Sequence, residues 1–350
     1  MKILIFESHN YHEEVILPQI EFLLKDNNKH EIYLLINENI KNKSIKFPDC
    51  KKKFIRNSKL GKFFQTIDII NFINKNKFDM VIFNSLEDKF LKIINPFLDK
   101  NIKKIAIVHN IDKLEKFKLD FKNFFVLSDH LLNFCKKNYP NYNFSSFYPL
   151  IYNKEMYIDD LLKNNNKNLI YITIPGLVEQ TRRDYTGLIN LIKNKNLNKN
   201  IKFIILGNIK KGDGPKLLKL INESNLMDRF ILFYDYIPYT KFFSILNSSD
   251  LIMPLIHPNV ANYEKYKTVK ISASFNMAFS FKKPLLMFEE FKNIDEFKDF
   301  GIFYNFENFV NVINIISIDK INSLVCKITN NVKFSFKYQQ KKYINFLESL

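Results

Sequence analysis

The stretch Leu169–Ile192, "LIYITIPGLVEQTRRDYTGLINLI", constrains this chain more than any other. An apolar run ends in Pro175-Gly176, a short polar loop carries Arg182 and Arg183, and Asp184 opens an amphipathic helical pattern. Read as strand, loop and helix, it brings two guanidinium groups and a set of free helix N–H donors to a strand end. Anions, above all phosphates, bind at such places. The start of the chain follows the same plan, with an apolar run at Lys2–Phe6 and a helical pattern at Glu13–Lys25. Strand and helix patterns alternate through all 350 residues. The expected fold class is therefore α/β, with two Rossmann-like doubly wound domains whose parallel sheets carry helices on both faces.

In the first half, strands are expected at Lys2–Phe6, Glu31–Ile36, Met80–Phe83, Lys104–Val108 and Phe124–Leu127, with Phe144–Tyr148 closing the sheet. Helices are expected at Glu13–Lys25, Phe63–Asn74, Asp88–Phe97 and His130–Tyr139. In the second half the strands are Leu169–Ile174, Lys202–Leu206, Phe230–Phe233, Leu251–Met253 and Leu285–Phe288. The matching helices are Tyr185–Lys195, Pro215–Ser224, Tyr239–Asn247, Val269–Phe281 and Glu307–Ile316. Between the halves, Pro149 and the polar run "KNNNKN" mark a change of character. The expected division is a first domain over 1–150, a linker over 151–168 holding a short helix at "EMYIDDLL", and a second domain over 169–330. A long tail helix over 331–350 is expected to return to the first domain.

Composition narrows the class. Cys50, Cys135 and Cys326 lie far apart without metal-ligand spacing, which reads as free thiols of a reducing compartment. No metal site and no cofactor are expected. No apolar run reaches the ~18 residues of a membrane span, and the first residues are too short an apolar run for a secretion signal. A cytoplasmic chain, peripheral at most to the inner membrane face, is expected. The net charge of +17 is spread over both halves, and much of it is Lys in a chain crowded with Asn, Ile and Phe. That pattern fits an AT-rich genome as well as an anionic partner. Lys41–Lys62 is denser, with nine Lys/Arg against one Asp and apolar residues interleaved. It reads as a surface for anionic lipid headgroups or, equally, as a solvated loop. Nucleic acid is not expected, because no helix-turn-helix, zinc-finger or RNA-recognition signature accompanies the charge.

Ligands of open α/β sheets bind outside the carboxyl ends of the strands, so chemistry is sought in the loops there. After the first strand, "ESHNYHEE" places His9, Asn10 and His12 at such an edge, and His109 follows "KIAIV" directly. A glycine-rich G-x-G-x-x-G loop is absent, which speaks against a nicotinamide dehydrogenase. In the second half the same edge collects Gly176 with Arg182 and Arg183, then Gly207 before "NIKKGDG" with Lys211, then "YDYIP". The stretch "HPNVANYEKYKTVKISAS" adds Tyr263 and Glu264 in an expected loop, then Lys270, Ser272 and Ser274 near the start of an apolar helix. Hydroxyls and Lys at a helix N-terminus suit a diphosphate. The plainer reading of each is a capped helix or a solvated loop.

In their order, "PGLVEQTRRDY", "FIILGNIKKGDGPKLLKLINESNLMDRFILF", "YIPYTKFFSILNSSDLIMPLI" and "YEKYKTVKISASFNMAFSFKKPLLM" resemble glycosyltransferases of the GT-B fold. The nearest group is the large retaining nucleotide-sugar family 4, also called glycosyl transferases group 1, and "KIAIVHN" and "FFVLSDHLL" extend the resemblance to the first half. It implies two domains facing a central cleft and metal-independent transfer of a sugar, with retention, from a nucleotide diphosphate to a glycan or lipid-linked glycan. It also implies a part in cell-surface polysaccharide or glycoconjugate synthesis. By position, Arg183 with Arg182 would neutralise the leaving diphosphate, Glu264 would face the donor sugar and His109 would lie near the transferred sugar. Gly176, Gly207, Lys211, Tyr263, Lys270, Ser272 and Ser274 would frame the donor, while His9, Asn10 and His12 would face the acceptor. Two positions depart from the pattern: Leu177 stands where a second basic residue is usual, and Ser272 where a ribose-binding Glu is usual. A GT-B nucleotide-sugar 2-epimerase and a non-catalytic basic module binding membrane or nucleic acid are the competing readings.

Overall fold

The computed structural model describes residues 1–350 apart from 28, 44–46, 49, 56–61, 118–119 and 153–168. Most of the expected linker, with its short helix, and part of Lys41–Lys62 fall outside the described residues. The chain forms two compact lobes. The first comprises Met1–Tyr152, Val269–Ile271 and Ser335–Leu350, and the second comprises Asn153–Thr268 and Ser272–Phe334.

The first lobe runs β1 (Lys2–Glu7), α1 (Glu13–Leu24), β2 (Glu31–Asn37), β3 (Lys51–Ile55), α2 (Lys62–Lys75), β4 (Met80–Phe83), α3 (Lys89–Ile94), β5 (Lys103–Val108), β6 (Asn123–Val126), α4 (Asp129–Asn138) and β7 (Asn143–Ser146). Its seven strands are all parallel, in the order β3-β2-β1-β4-β5-β6-β7. Side chains alternate across the sheet. Leu4, Phe6, Val81, Phe83, Ala106 and Val108 enter one core, and Ile3, Ile5, Met80, Ile82, Ile105 and Ile107 the other. Burial on both faces explains why these strands read as continuous apolar runs.

The second lobe runs β8 (Ile170–Pro175), α5 (Tyr185–Ile192), β9 (Ile201–Asn208), α6 (Gly214–Glu223), β10 (Phe230–Phe233), α7 (Tyr239–Ser248), β11 (Leu251–Ile252), α8 (Tyr263–Thr268), α9 (Ala273–Ser280), β12 (Leu285–Phe288), β13 (Gly301–Tyr304), α10 (Phe309–Asn314) and α11 (Ile318–Asn330). Six parallel strands are ordered β10-β9-β8-β11-β12-β13.

The tail forms α12 (Phe336–Glu348). Ser335 starts it by accepting a hydrogen bond from Tyr338 N. Tyr343, Ile344, Phe346 and Leu347 then enter the second core of the first lobe. The expected helix over 331–350 thus begins five residues late, after a single 3-10 turn at Val332–Phe334.

Four elements depart from expectation. β3 lies inside the basic stretch read as a lipid-facing surface segment or a solvated loop, and β13, α8 and α11 were not expected. The helix expected from Val269 begins at Ala273. Before it, Ile111 N donates to Val269 O at 2.8 Å, Lys270 pairs with Asn110 in an antiparallel bridge, and Val269 and Ile271 join the first-lobe core. An extended segment with these partners cannot also be a helix turn.

Candidate functional site

In a doubly wound sheet the crevice opens where strand order reverses. In the first lobe that point lies between β1 and β4, and in the second between β8 and β11.

In the first lobe, β1 ends in Glu7, which is fully buried. Its Oε1 accepts from His9 N at 2.9 Å and pairs with His9 Nδ1 at 2.9 Å. Its Oε2 accepts from Asn84 Nδ2 at 3.0 Å. Burial pushes the Glu7 carboxyl above its ordinary range, against the lowering effect of His9. Asp88, buried after β4, accepts from Ser8 N at 3.1 Å and caps α3 through Phe90 N at 2.8 Å. Glu7, His9 and Asp88 bring their ligand-type atoms within 4.8 Å of one another. Both carboxylates already accept protein hydrogen bonds and the imidazole is engaged by one of them, so we assign no metal to the group.

His12 holds a left-handed backbone, φ 71°, at the start of α1. Only a few per cent of non-glycine residues do so, and such strain is held by surrounding contacts. Here the contact is aromatic: His12 stacks on His109 with centroids 3.9 Å apart, and Tyr11 stacks on His9 at 4.7 Å. His109 Nε2 meets Asn84 O at 2.9 Å. A carbonyl only accepts, so Nε2 carries the proton. Burial first, then the neighbouring His12, holds His109 down to about 3, so it is a neutral imidazole at physiological pH. Of the residues expected on this edge, His9, His12 and His109 come together, while Asn10 is exposed beside them. Lys270, expected with the second-domain residues, is counted with the first lobe through its bridge to Asn110.

In the second lobe, Gly176 follows β8 with φ 110°. A Cβ built there would stand 2.7 Å from Arg183 Nη2, so the guanidinium lies directly against the glycine backbone. A Cβ on Gly207 would stand 2.2 Å from Gly176 O. Gly207 therefore requires glycine for close backbone approach, and Gly176 for its positive φ. Arg183 Nη1 donates to Leu177 O at 3.2 Å, while its Nε is buried without a partner among the described residues. A buried unmet donor costs about 1–3 kcal/mol, and more on a cation such as this, unless a ligand or water satisfies it. Arg182 is exposed and paired with Glu179 at 2.7 Å. Leu177 is exposed, as is Lys211.

Glu264 lies on α8 rather than in a loop, with its side chain 77% exposed and bound to Lys267 at 2.8 Å. Tyr263, one residue before, turns inward onto Phe288 and Phe291. Ser272 starts α9 without a side-chain cap bond, and Ser274 Oγ in the first turn is buried with no partner among the described residues.

Several residues of both sites escaped sequence reasoning. Asn84 contacts His109 and His12 directly and His9 through Glu7, and its one signal was a polar residue at the end of the apolar run "MVIF". In the second lobe, buried His257 joins Asp184 Oδ2 at 2.9 Å and Tyr304 Oη at 2.7 Å. Asp184 also caps α5 through Gly187 N. Burial opposes its charge, yet the His257 and Gly187 hydrogen bonds hold its carboxyl below the ordinary range. This bonding fixes the turn that carries Arg183.

No protein-family model matches the chain. No curated protein sequence matches it either. Solved structures do. A glycosyltransferase of Rickettsia africae ESF-5 superposes with TM-score 0.66 at 14% identity, covering 99% of this chain and 98% of that one. Anabaena Alr3699/HepE, crystallised with UDP and glucose, gives 0.67 at 14% identity over 100% of both chains. A Listeria monocytogenes protein described as a putative UDP-N-acetylglucosamine 2-epimerase gives 0.60 at 11% identity, over 99% and 96%. The fold is GT-B. Enzymes of different reactions share it, so the fold by itself names no reaction.

Proposed function

We propose that this GT-B chain is a nucleotide-sugar-dependent glycosyltransferase acting on a glycan acceptor. One observation carries the reading. At the switch point of the second lobe, Gly176, held at φ 110°, lies against the guanidinium of Arg183, whose Nε is buried and unmet among the described residues. Fixed guanidinium groups of this kind stabilise charge developing on a leaving diphosphate and pair well with phosphate oxygens. Ser274, buried and without a partner among the described residues in the first turn of α9, offers a second donor at a helix N-terminus. The UDP held by Anabaena Alr3699/HepE supports a nucleotide of this class.

In this reading Arg183 is the principal diphosphate ligand. Arg182, tied to Glu179 on the surface, is subordinate to it. Glu264, held only by an exposed ion pair, is free to turn toward a donor sugar. Transfer with retention and without metal is what the resemblance implies.

The test is a thermal-shift screen of the whole chain against UDP-, GDP-, CMP- and dTDP-sugars and the free nucleotides. Ligand bound to the native state raises Tm by mass action. One nucleotide class should raise it, and Arg183→Ala should abolish the rise while leaving the unliganded Tm within a few degrees. A rise that survives Arg183→Ala removes Arg183 from the site. The similarity to a putative epimerase makes that activity the second reading. Incubating the chain with the bound nucleotide sugar alone separates the two, since an epimerase converts the sugar and a transferase leaves it or slowly hydrolyses it.

A further inference from the structure

The loop that carries Arg183 is tied to a buried hydrogen-bonded chain that reaches the far edge of the second-lobe sheet. Asp184, directly after the arginine, is buried. Its Oδ1 accepts from Gly187 N at 2.9 Å and from Gln180 Nε2 at 2.9 Å. Its Oδ2 faces His257 Nδ1 at 2.9 Å, and His257 Nε2 faces Tyr304 Oη at 2.7 Å. His257 and Tyr304 are also buried. The chain thus starts in the loop after β8, passes through the loop after β11 and ends on the last residue of the edge strand β13. An ionised carboxylate only accepts, so the proton shared with Asp184 sits on His257 Nδ1, and Nε2 accepts from the Tyr304 hydroxyl. Both imidazole nitrogens are committed, which leaves His257 no atom for a substrate.

A second tie comes from the same loop. Leu255 holds a left-handed backbone, φ 54°, a genuine outlier for a bulky side chain. Its carbonyl accepts from Asp184 N at 3.0 Å. Strain of this kind persists only where the surroundings over-determine it. Here Leu255 and His257 grip Asp184 by backbone and side chain at once. On the other side, Arg183 N donates to Glu179 O at 3.0 Å. The arginine backbone is therefore fixed from both directions. Its guanidinium is anchored at one corner, Nη1 on Leu177 O, and unmet at Nε among the described residues.

Arginine is scarce in this chain. Of 53 Lys and Arg, only Arg56, Arg182, Arg183 and Arg229 are arginines. Lysine is a mobile point charge, whereas the guanidinium is a planar fork that pairs with phosphate in a fixed geometry. An arginine kept against that bias, on a backbone clamped this firmly, is one whose direction matters.

We propose that His257 is a positioning residue of the diphosphate site: braced by Tyr304, it holds Asp184 and thereby aims the Arg183 guanidinium. This rests on the reading of Arg183 as the diphosphate ligand. Releasing Asp184 lets the turn rotate and the fork lose its direction, while the strands of the sheet keep their own hydrogen bonds.

The experiment uses the full chain and two readouts. The first is the heteronuclear NOE of the arginine Nε–H groups, which needs no ligand. Arg229, whose Nη1 and Nη2 donate to Asn198 O and Leu197 O at 2.8 and 2.9 Å, is a control in the same lobe. His257→Leu should loosen Arg183 Nε–H and leave Arg229 unchanged. The second is the Kd of whichever of UDP, GDP and dTDP raises the wild-type Tm. His257→Leu should weaken it about 10-fold, the scale of a hydrogen bond to a charged group. His257→Asn, whose Nδ2–H can stand in for Nδ1–H, should recover most of that loss. An Arg183 signal that stays ordered in His257→Leu overturns the assignment, and so does loosening of Arg183 and Arg229 together, which would be a general loss of structure. If none of the three nucleotides binds the wild type, the glycosyltransferase reading fails and this inference falls with it. If one binds, and Arg183→Ala abolishes binding while His257→Leu leaves it unchanged, only the present inference fails. Should His257→Leu not fold, Tyr304→Phe decides, since it removes one hydroxyl and keeps the ring. A looser Arg183 and about 3-fold weaker binding are then expected, and no change in either sinks the assignment.

Discussion

At Gly207 the absence of one carbon atom matters more than most side chains do. Its Cα faces Gly176 O so closely that a Cβ would lie 2.2 Å away, and the obstacle is backbone, which cannot rotate aside. Gly207→Ala should destabilise the chain by about 1–3 kcal/mol in urea denaturation, the usual cost of overpacking a close contact. It should also abolish the nucleotide-induced rise in Tm. An unchanged midpoint would mean that the two strand ends separate without cost. This position was legible because the chain has only seven glycines, and one directly after an apolar run stands out. Arg183 was legible for the same reason, as a charge in a strand-end loop. Asn84 and His257 were not. Their significance lies in partners 77 and 73 residues away, and a polar residue at a strand end looks the same whether or not it finds them.

Elements were legible where one interaction dominated their sequence. Strands buried on both faces had to be apolar runs, and they were found. β3 was missed because Lys51 and Lys52 are exposed at the sheet edge, where Lys protects against pairing with other chains and disguises a strand as a basic loop. The 269–271 segment misled for the opposite reason, since Ile271 extends the i, i+4, i+8 pattern of Phe275 and Phe279 but serves, with Val269, the first-lobe core. The tail helix was legible from its periodicity, and its depth of burial was not. Tyr343 stacks flat on Phe125 at 4.8 Å and packs with Phe22 and Phe147. Ending the chain before Phe336 should strip amide-exchange protection from β1 and β4–β7 while β8–β13 keep theirs. Loss of protection in both sheets, or in neither, would show that α12 is not a core element of the first lobe alone. The single change Tyr343→Ala should cost about 3–5 kcal/mol, as removal of a large buried ring does.

At the scale of the molecule, alternation of strands and helices was enough to show two doubly wound lobes, because that pattern admits few other arrangements. What alternation could not show is that the lobes are built unequally from the chain. Among the described residues the second lobe is drawn from one stretch interrupted only at 269–271, whereas the first needs three separate pieces. The asymmetry makes excision one-sided. A fragment over 169–334 should fold cooperatively and keep its six-stranded sheet, because none of its strands lies outside that range. A fragment over 1–152 should not, because Tyr343, Ile344, Phe346 and Leu347 are missing from its core. The remedy is short, since the rings of Tyr152 and Phe336 lie 5.1 Å apart. A Gly/Ser linker of about five residues, each adding up to ~3.3 Å of reach, can therefore join residue 152 to residue 335. That fusion should recover a cooperative thermal transition and near-ultraviolet circular dichroism. If 1–152 folds as well without α12 as with it, the first lobe is self-sufficient and the tail is an ornament. If the fusion stays unfolded, the three residues 269–271, with Val269 in the core and the bridge to Asn110, contribute more than their length suggests.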